Sequence, residues 1–286
     1  MAIRLEEINY IYGEGTELVV DALKDINLEI GDGEFVGIIG HTGSGKSTLV
    51  QHLNGLIKPS SGHIYFDGQD IYAEGYSMKK HRSNVGLVFQ YPEHQLFEVD
   101  VLSDVCFGPK NLGMIKEDAE KTAKKALQLV GLDESYYKRS PFDLSGGQKR
   151  RVAIAGVLAM NPKMLILDEP TAGLDPQGRK EILDLISSLR RDAGITIVLV
   201  SHSMEDVAEY VDRIIVMNKG CVAFDGQPKE VFSHYKELEE IGLAAPQVTY
   251  IVHKLKEKGL PVETDAITIE EAAQDILAAL KARKKG

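Results

Sequence analysis

A run of apolar residues, Phe35-Val36-Gly37-Ile38-Ile39, leads directly into Gly40-His41-Thr42-Gly43-Ser44-Gly45-Lys46-Ser47-Thr48. An uninterrupted apolar run suits a strand buried on both faces, the kind found in parallel sheets covered by helices. The helix-compatible stretch from Ser47 to Gly55 completes a strand, loop and helix unit. Gly40, Gly43 and Gly45 let the backbone approach an anion without a Cβ in the way, so that amides and the following helix N-terminus face it. Lys46 adds a point charge for β- and γ-phosphates, and Ser47 offers a hydroxyl to Mg²⁺. A plain tight turn is the competing reading until other motifs are counted.

Buried strands recur at Met164 to Asp168, Ile195 to Ser201 and Ile214 to Met217, with helical patterns between them, which implies a mainly parallel α/β sheet. Ile3 to Tyr10 and Ile26 to Ile30 instead alternate apolar and polar residues, as half-buried antiparallel strands do. The spacing therefore predicts two kinds of sheet. Asn218-Lys219-Gly220 reads as a hairpin turn into Cys221 to Phe224. After Val85 to Phe89 the pattern turns helical, with Glu117 to Val130 rich in Ala, Lys and Leu, so a helical insertion is expected. Beyond about Tyr235, Val248 to Lys258 and Thr268 to Ala282 read as amphipathic helices around a Gly259-Leu260-Pro261 break, with Thr268 and Glu271 spaced as a capping box. The expected division is a domain over 1–238, its helical subdomain over about 92–160, and an extension over 239–286.

Leu165-Ile166-Leu167-Asp168-Glu169 places two carboxylates at the end of a buried strand, where open α/β sheets expose their ligand site. Asp168 is the expected Mg²⁺ partner, acting through bound water. Glu169 is the expected general base or water-positioning residue for attack on the γ-phosphate. In isolation the pair could as well cap a helix ahead of Pro170; the phosphate loop shifts the balance to chemistry.

Composition removes other classes. At 286 residues, 43% hydrophobic and 27% charged, the chain can bury one large core plus an appendage. A net charge of -10 argues against a nucleic-acid partner gripped through phosphates. The longest apolar stretches fall short of the roughly 20 residues needed to cross a bilayer. Met1 to Glu7 lacks the basic start and apolar run of a secretory signal, so a cytoplasmic location is expected. Cys106 and Cys221 lack metal-ligand spacing and read as two small core residues, and the basic run Lys281 to Lys285 reads as a solvated helix end.

The string Leu144-Ser145-Gly146-Gly147-Gln148, following the phosphate loop in order, resembles the signature of ATP-binding cassette ATPases. The resemblance implies a P-loop core with an N-terminal antiparallel subdomain, binding ATP and Mg²⁺. Gln90 then matches the lid glutamine that reaches the metal or the attacking water. His202, closing Val198-Leu199-Val200-Ser201, matches the switch histidine that contacts the γ-phosphate. Tyr12 matches the aromatic that stacks on adenine, with Tyr10 close enough to compete. His41, Thr42, Ser44 and Thr48 join the loop glycines, Lys46 and Ser47 in the nucleotide set. Ser145, Gly146, Gly147 and Gln148, with Asp175 in Gly173-Leu174-Asp175, are expected to serve the nucleotide of a partner subunit. Backbone amides, the serine hydroxyl and a helix N-terminus supply positive potential there.

Gly40-His41-Thr42, the stretch from Phe89-Gln90-Tyr91-Pro92 through Phe97, and Ala155 to Met160 are similar to the ATPases of energy-coupling factor transporters, most like the second A component. That resemblance implies a heterodimer with a second cassette ATPase, peripheral at the cytoplasmic face of the cell membrane. It further implies an integral-membrane T component and an S component that captures a vitamin or metal ion, with the two-helix tail supporting contact between the ATPases. Some of Glu93, Glu98, Asp100 and Asp104 beside the lid are expected to receive arginines from a coupling helix of the membrane partner, a solvated acidic surface being the alternative. A soluble cassette ATPase for iron-sulfur assembly or DNA maintenance is the alternative. The DNA-maintenance kind usually carries a long coiled coil, whereas an ordinary helical insertion separates Gly45 from Ser145. A binding protein without turnover would need a defective catalytic set, yet Glu169 and His202 are both present.

Overall fold

The structure, a computed structural model, describes residues 3–13, 15 and 19–283. Met1 and Ala2 of the N-terminal stretch, and Lys284 and Lys285 of the basic run, lie outside the described residues. The first sheet has the order β2-β1-β4-β5, built from β1 (Ile3–Tyr12), β2 (Val20–Ile30), β4 (Ser61–Phe66) and β5 (Gln69–Asp70). All its pairings are antiparallel, with Ile3 opposite Ile30 and Phe66. The second sheet has the order β10-β9-β3-β8-β7-β6, from β3 (Phe35–Ile39), β6 (Val85–Val88), β7 (Met164–Asp168), β8 (Thr196–Val200), β9 (Arg213–Asn218) and β10 (Cys221–Gly226). It is parallel except for the β9–β10 hairpin, so the two expected kinds of sheet are both present.

The apolar run of β3 feeds two cores at once, because successive strand side chains point to opposite faces. Val36 and Ile38 join Ile3, Leu5, Ile8, Leu28 and Ile30 of the antiparallel sheet and Leu49, Val50 and Leu53 of α1 (Lys46–Leu53). Phe35 and Ile39 point the other way, into a larger cluster with Leu165, Leu167, Ile197 and Leu199. That second face is covered in part by α3 (Val101–Asn111), α4 (Lys116–Leu129), α5 (Gly146–Leu158) and α6 (Pro176–Ala193), after the short α2 (Met78–Asn84). Helices α3 to α5 form the insertion between β6 and β7. The chain then runs through α7 (Met204–Tyr210), α8 (Pro228–Ser233) and α9 (Tyr235–Glu240) to α10 (Gln247–Glu257) and α11 (Ile269–Arg283).

Three local expectations change. Strand β2 begins at Val20, ahead of the predicted Ile26, because its early residues pair with β1 across register shifts that break the period-two pattern. Cys106 is buried as expected, but Cys221 opens the edge strand β10 and is exposed, so only one cysteine belongs to the core. At α11, Thr268 Oγ1 accepts from Glu271 N at 3.3 Å, while the Glu271 carboxylate accepts from the Ile267 amide in place of the Thr268 amide. The reciprocal half of the capping box is therefore shifted by one residue. Among the described residues no helix is long and apolar enough to cross a membrane.

Candidate functional site

Because β3, β6, β7 and β8 run parallel, their carboxyl ends share one edge of the sheet. Strand β3 delivers the glycine loop there, β6 delivers Gln90, β7 delivers Asp168 and Glu169, and β8 delivers His202. Thr42, Gly43, residues 45–48, Gln90, Glu169 and His202 thus line one cavity of about 480 Å³, together with Tyr12 and with Val20, Asp21 and Ala22 of β2, whereas Gly40, His41, Ser44 and Asp168 are not part of its lining. Two glycines fix the loop. Gly40 has φ +157°, and a Cβ there would collide with the Met217 carbonyl; Gly45 has φ +104°, and its Cβ would lie 2.7 Å from the Ala22 carbonyl oxygen. Gly45 is also the N-cap of α1, so the N-terminus of that helix opens on the loop.

Lys46 Nζ donates to the carbonyls of Gly40 at 2.7 Å and His41 at 3.1 Å, which leaves one of its three N–H groups for a phosphate oxygen. Burial pulls its pKa below the ordinary lysine value, while Glu169 and Asp168 oppose that shift. Asp168 goes the other way: burial pushes its carboxyl up, the Glu169 charge adds to this, and Lys46 and the Ser47 hydroxyl hold it down. The Ser47 side chain lies close enough to the Asp168 carboxylate to favour its ionised form, so these two oxygen donors share the mouth of the loop. The His41 ring ties the loop to the end of β9 through Asn218 Oδ1 at 3.1 Å, and Ser44 Oγ is buried without a hydrogen-bond partner among the described residues.

Glu169 stands in left-handed backbone at φ +50°, a conformation that costs a non-glycine residue roughly 1–2 kcal/mol. Its carboxylate is held from both sides. Gln90 Nε2 donates to Oε2 at 2.8 Å, and His202 Nε2 lies 2.6 Å from Oε1. Tyr12, 40% exposed, lines the cavity, and its hydroxyl lies 3.3 Å from Thr48 Oγ1. Tyr10 does not line it: the ring is half-buried, edge-on to Tyr12 and His52 at 4.8 Å each.

None of Ser145, Gly146, Gly147, Gln148 and Asp175 lines this cavity. Ser145 is the N-cap of α5, accepting from Gln148 N at 3.3 Å while its own amide donates to Gln148 Oε1 at 3.0 Å, a complete capping box. Asp175 caps α6 through the Gly178 amide at 2.7 Å. A Cβ on Gly146 or Gly147 would meet nothing within 4 Å, so no contact among the described residues requires glycine at either position.

Three of the four acidic residues beside the lid already have partners within the chain, which leaves the Glu98 carboxylate as the one of the four without an intrachain hydrogen bond or ion pair among the described residues. Glu93 forms a two-pronged ion pair with the buried Arg150, Asp100 caps α3 through Ser103 N at 2.8 Å, and Asp104 accepts the amides of Phe97 and Glu98 at 2.9 Å. Sequence reasoning also passed over Val20 to Ala22, because the register shifts between β1 and β2 break the alternation there, and over Arg150.

A triphosphate cradle at the carboxyl edge of a parallel sheet, with the strand-end carboxylates opposite it, is the site of a P-loop nucleoside triphosphatase. Residues 23–172 match the ABC transporter family. The chain is 54% identical over 284 residues to the energy-coupling factor transporter ATP-binding protein EcfA2 of Caldanaerobacter subterraneus subsp. tengcongensis, covering 99% of each chain. Among solved structures, cbiO1 from Clostridium perfringens, part of the ABC transporter complex cbiONQ, superposes with a TM-score of 0.74 at 43% identity over 89% of this chain and 98% of its own. A dimeric ATP-binding cassette in a post-hydrolysis state with ADP and Pi gives 0.70 at 33% identity, covering 79% and 98%. The chain belongs to the ABC transporter family, among the ATP-binding proteins of energy-coupling factor transporters, and it is an ATP-binding ATPase. The alternative of a cassette ATPase outside transport finds no support among these relatives.

Proposed function

We propose that this chain is the motor subunit of an energy-coupling factor transporter, paired with a second, homologous cassette ATPase at the cytoplasmic face of the cell membrane. The pair drives an integral-membrane T component, and a separate S component supplies the vitamin or metal ion to be taken up. The observation that carries the chemistry is the Glu169 carboxylate, clamped by Gln90 and His202 in the same cavity as the phosphate loop.

In this reading adenine stacks on Tyr12 and the triphosphate lies along residues 40–48, with Lys46 charge on the β- and γ-phosphates. The donors around Ser47 are hard oxygens, namely its hydroxyl, Asp168 and the Gln90 amide. Hard oxygen donors suit Mg²⁺, which binds through one or two carboxylates, water and substrate phosphates. Bound, it would offset the charge developing on the phosphoryl oxygens. Glu169 orients or deprotonates the attacking water, His202 and Gln90 hold Glu169 in place, and the bond from the γ-phosphorus to the bridging oxygen breaks to give ADP and phosphate.

Ser145 to Gln148 and Asp175 act on the nucleotide of the partner, so two ATP molecules join the subunits and hydrolysis releases them. Residues 1–238 form the cassette, with its helical part over about 92–160, and residues 239–286 form a dimerisation extension. The extension has its own apolar cluster, including Val252, Leu260 and Val262, and exposes Ile251, Leu277 and Leu280 for contact with the second ATPase. A cavity of about 680 Å³ beside the lid, lined by Leu96, Phe97, Phe107 and Met160 among others, offers the T component an apolar seat.

Two experiments test this reading. Tyr12→Ala is expected to raise KM for ATP about three- to tenfold, the worth of a stacking contact, while Tyr12→Phe stays within about twofold. An unchanged KM in Tyr12→Ala would move adenine elsewhere. Purification from membranes in mild detergent is expected to bring down a second cassette ATPase and an integral-membrane protein. Recovery of a complex without any membrane protein would contradict the transport role.

A further inference from the structure

Arg150 lies in α5, the helix that begins at the signature, and is only 1% exposed. Its guanidinium makes hydrogen bonds to two separate segments. Nε and Nη2 donate to Glu93 Oε2 at 3.1 Å and Oε1 at 2.6 Å, and Nη1 donates to the carbonyls of Pro170 at 2.8 Å and Ala172 at 2.9 Å. Glu93 belongs to the short helical turn Pro92–Gln95 that follows Gln90, and Pro170 and Ala172 belong to the turn that follows Glu169. One planar, rigid cation therefore fixes the distance from the signature helix to the lid glutamine and to the hydrolytic glutamate together. Burial pushes the Glu93 carboxyl up, but the Arg150 fork, together with a backbone hydrogen bond and His94, holds it below the usual range.

We infer that Arg150, with Glu93, is a positioning residue that makes the pose of Glu169 and Gln90 depend on the position of the signature helix. A nucleotide held by a second cassette against Ser145 to Gln148 then sets the hydrolytic carboxylate of this chain's own site. The inference rests on the catalytic reading of Glu169 given above. The left-handed backbone at Glu169 makes the grip matter, since its turn has no strong local preference for the conformation it holds. The fork geometry matters too, because a lysine keeps the charge but not the fixed set of donors.

The test compares Arg150→Lys, Glu93→Gln and the double variant in the assembled ATPase dimer, with Glu169→Gln in parallel. Each is measured for folding, ATP affinity, KM and kcat. The expected result is ATP affinity within about twofold of the parent and kcat lower by about ten- to a hundredfold, the cost of a small misplacement of a reacting group. The double variant should lose no more than the worse single one, as expected of residues acting as one unit. Parent-like kcat in a folded Arg150→Lys or Glu93→Gln overturns the inference. So does a kcat loss matched by an equal loss of ATP affinity, or losses that multiply in the double variant. Should Arg150→Lys not fold, Glu93→Gln decides alone. Full turnover in Glu169→Gln would instead refute the catalytic reading itself, so the two failures are distinguishable.

Discussion

Glu169→Gln is expected to lower phosphate release by about 10²- to 10⁴-fold while ATP still binds and still drives dimerisation. The amide is nearly the same shape as the carboxylate and can keep contacts with both Gln90 and His202. It cannot accept a proton from water, and general base catalysis is worth that range. Removing one of two crowded negative charges also eases the approach of a triphosphate, so affinity should hold or rise. Phosphate release, nucleotide binding and mass in solution, measured on one preparation, check the three parts. Turnover equal to the parent would remove Glu169 from the chemistry.

Gly147→Asp is expected to separate folding from function more sharply. The position lies in the first turn of α5, and a Cβ there meets nothing within 4 Å. Aspartate is a better helix former than glycine by only about 0.3 kcal/mol, and an acidic group in the first turn adds about 0.3–1 kcal/mol through the helix dipole. The isolated chain should therefore be at least as stable as the parent. If, as proposed, the signature meets the partner's nucleotide, the new carboxylate faces a γ-phosphate where a positive potential is required. Hydrolysis by the dimer should fall by about 10²- to 10³-fold, the scale for losing a preorganised donor. Thermal melting of the chain alone and turnover of the dimer are the measurements. Normal turnover would show that this face receives no nucleotide.

Much of this site is legible in the chain because its physical requirements are local. Gly40 and Gly45 stand where a side chain would strike Met217 and Ala22, and Lys46 must follow the loop directly. The continuous apolar run of β3 reports burial on both faces without any knowledge of what covers it. Other parts depend on the order of strands. The Gln90–Glu169–His202 clamp exists only because β6, β7 and β8 are neighbours with aligned carboxyl ends, and no spacing within one segment encodes that. Arg150 reads in sequence as one cation among Lys149, Arg150 and Arg151, ordinary for a solvated helix face. Its burial follows from contact with Glu93 and the Pro170 turn, both distant in the chain. The same contact removed Glu93 from the surface on which sequence alone had placed it. Losing one partner of such a buried pair costs about 3–5 kcal/mol, a penalty that composition cannot reveal.

In the proposed motor the phosphate loop and the signature of this chain belong to different ATP sites, each completed by another subunit. The most direct measurement is specific ATPase activity against the fraction of chain assembled, set by protein concentration or by titration with the second cassette ATPase and followed by light scattering. Activity should rise with the fraction in dimers and vanish in monomers. Full specific activity in a strictly monomeric chain, unchanged on dilution, would contradict the account.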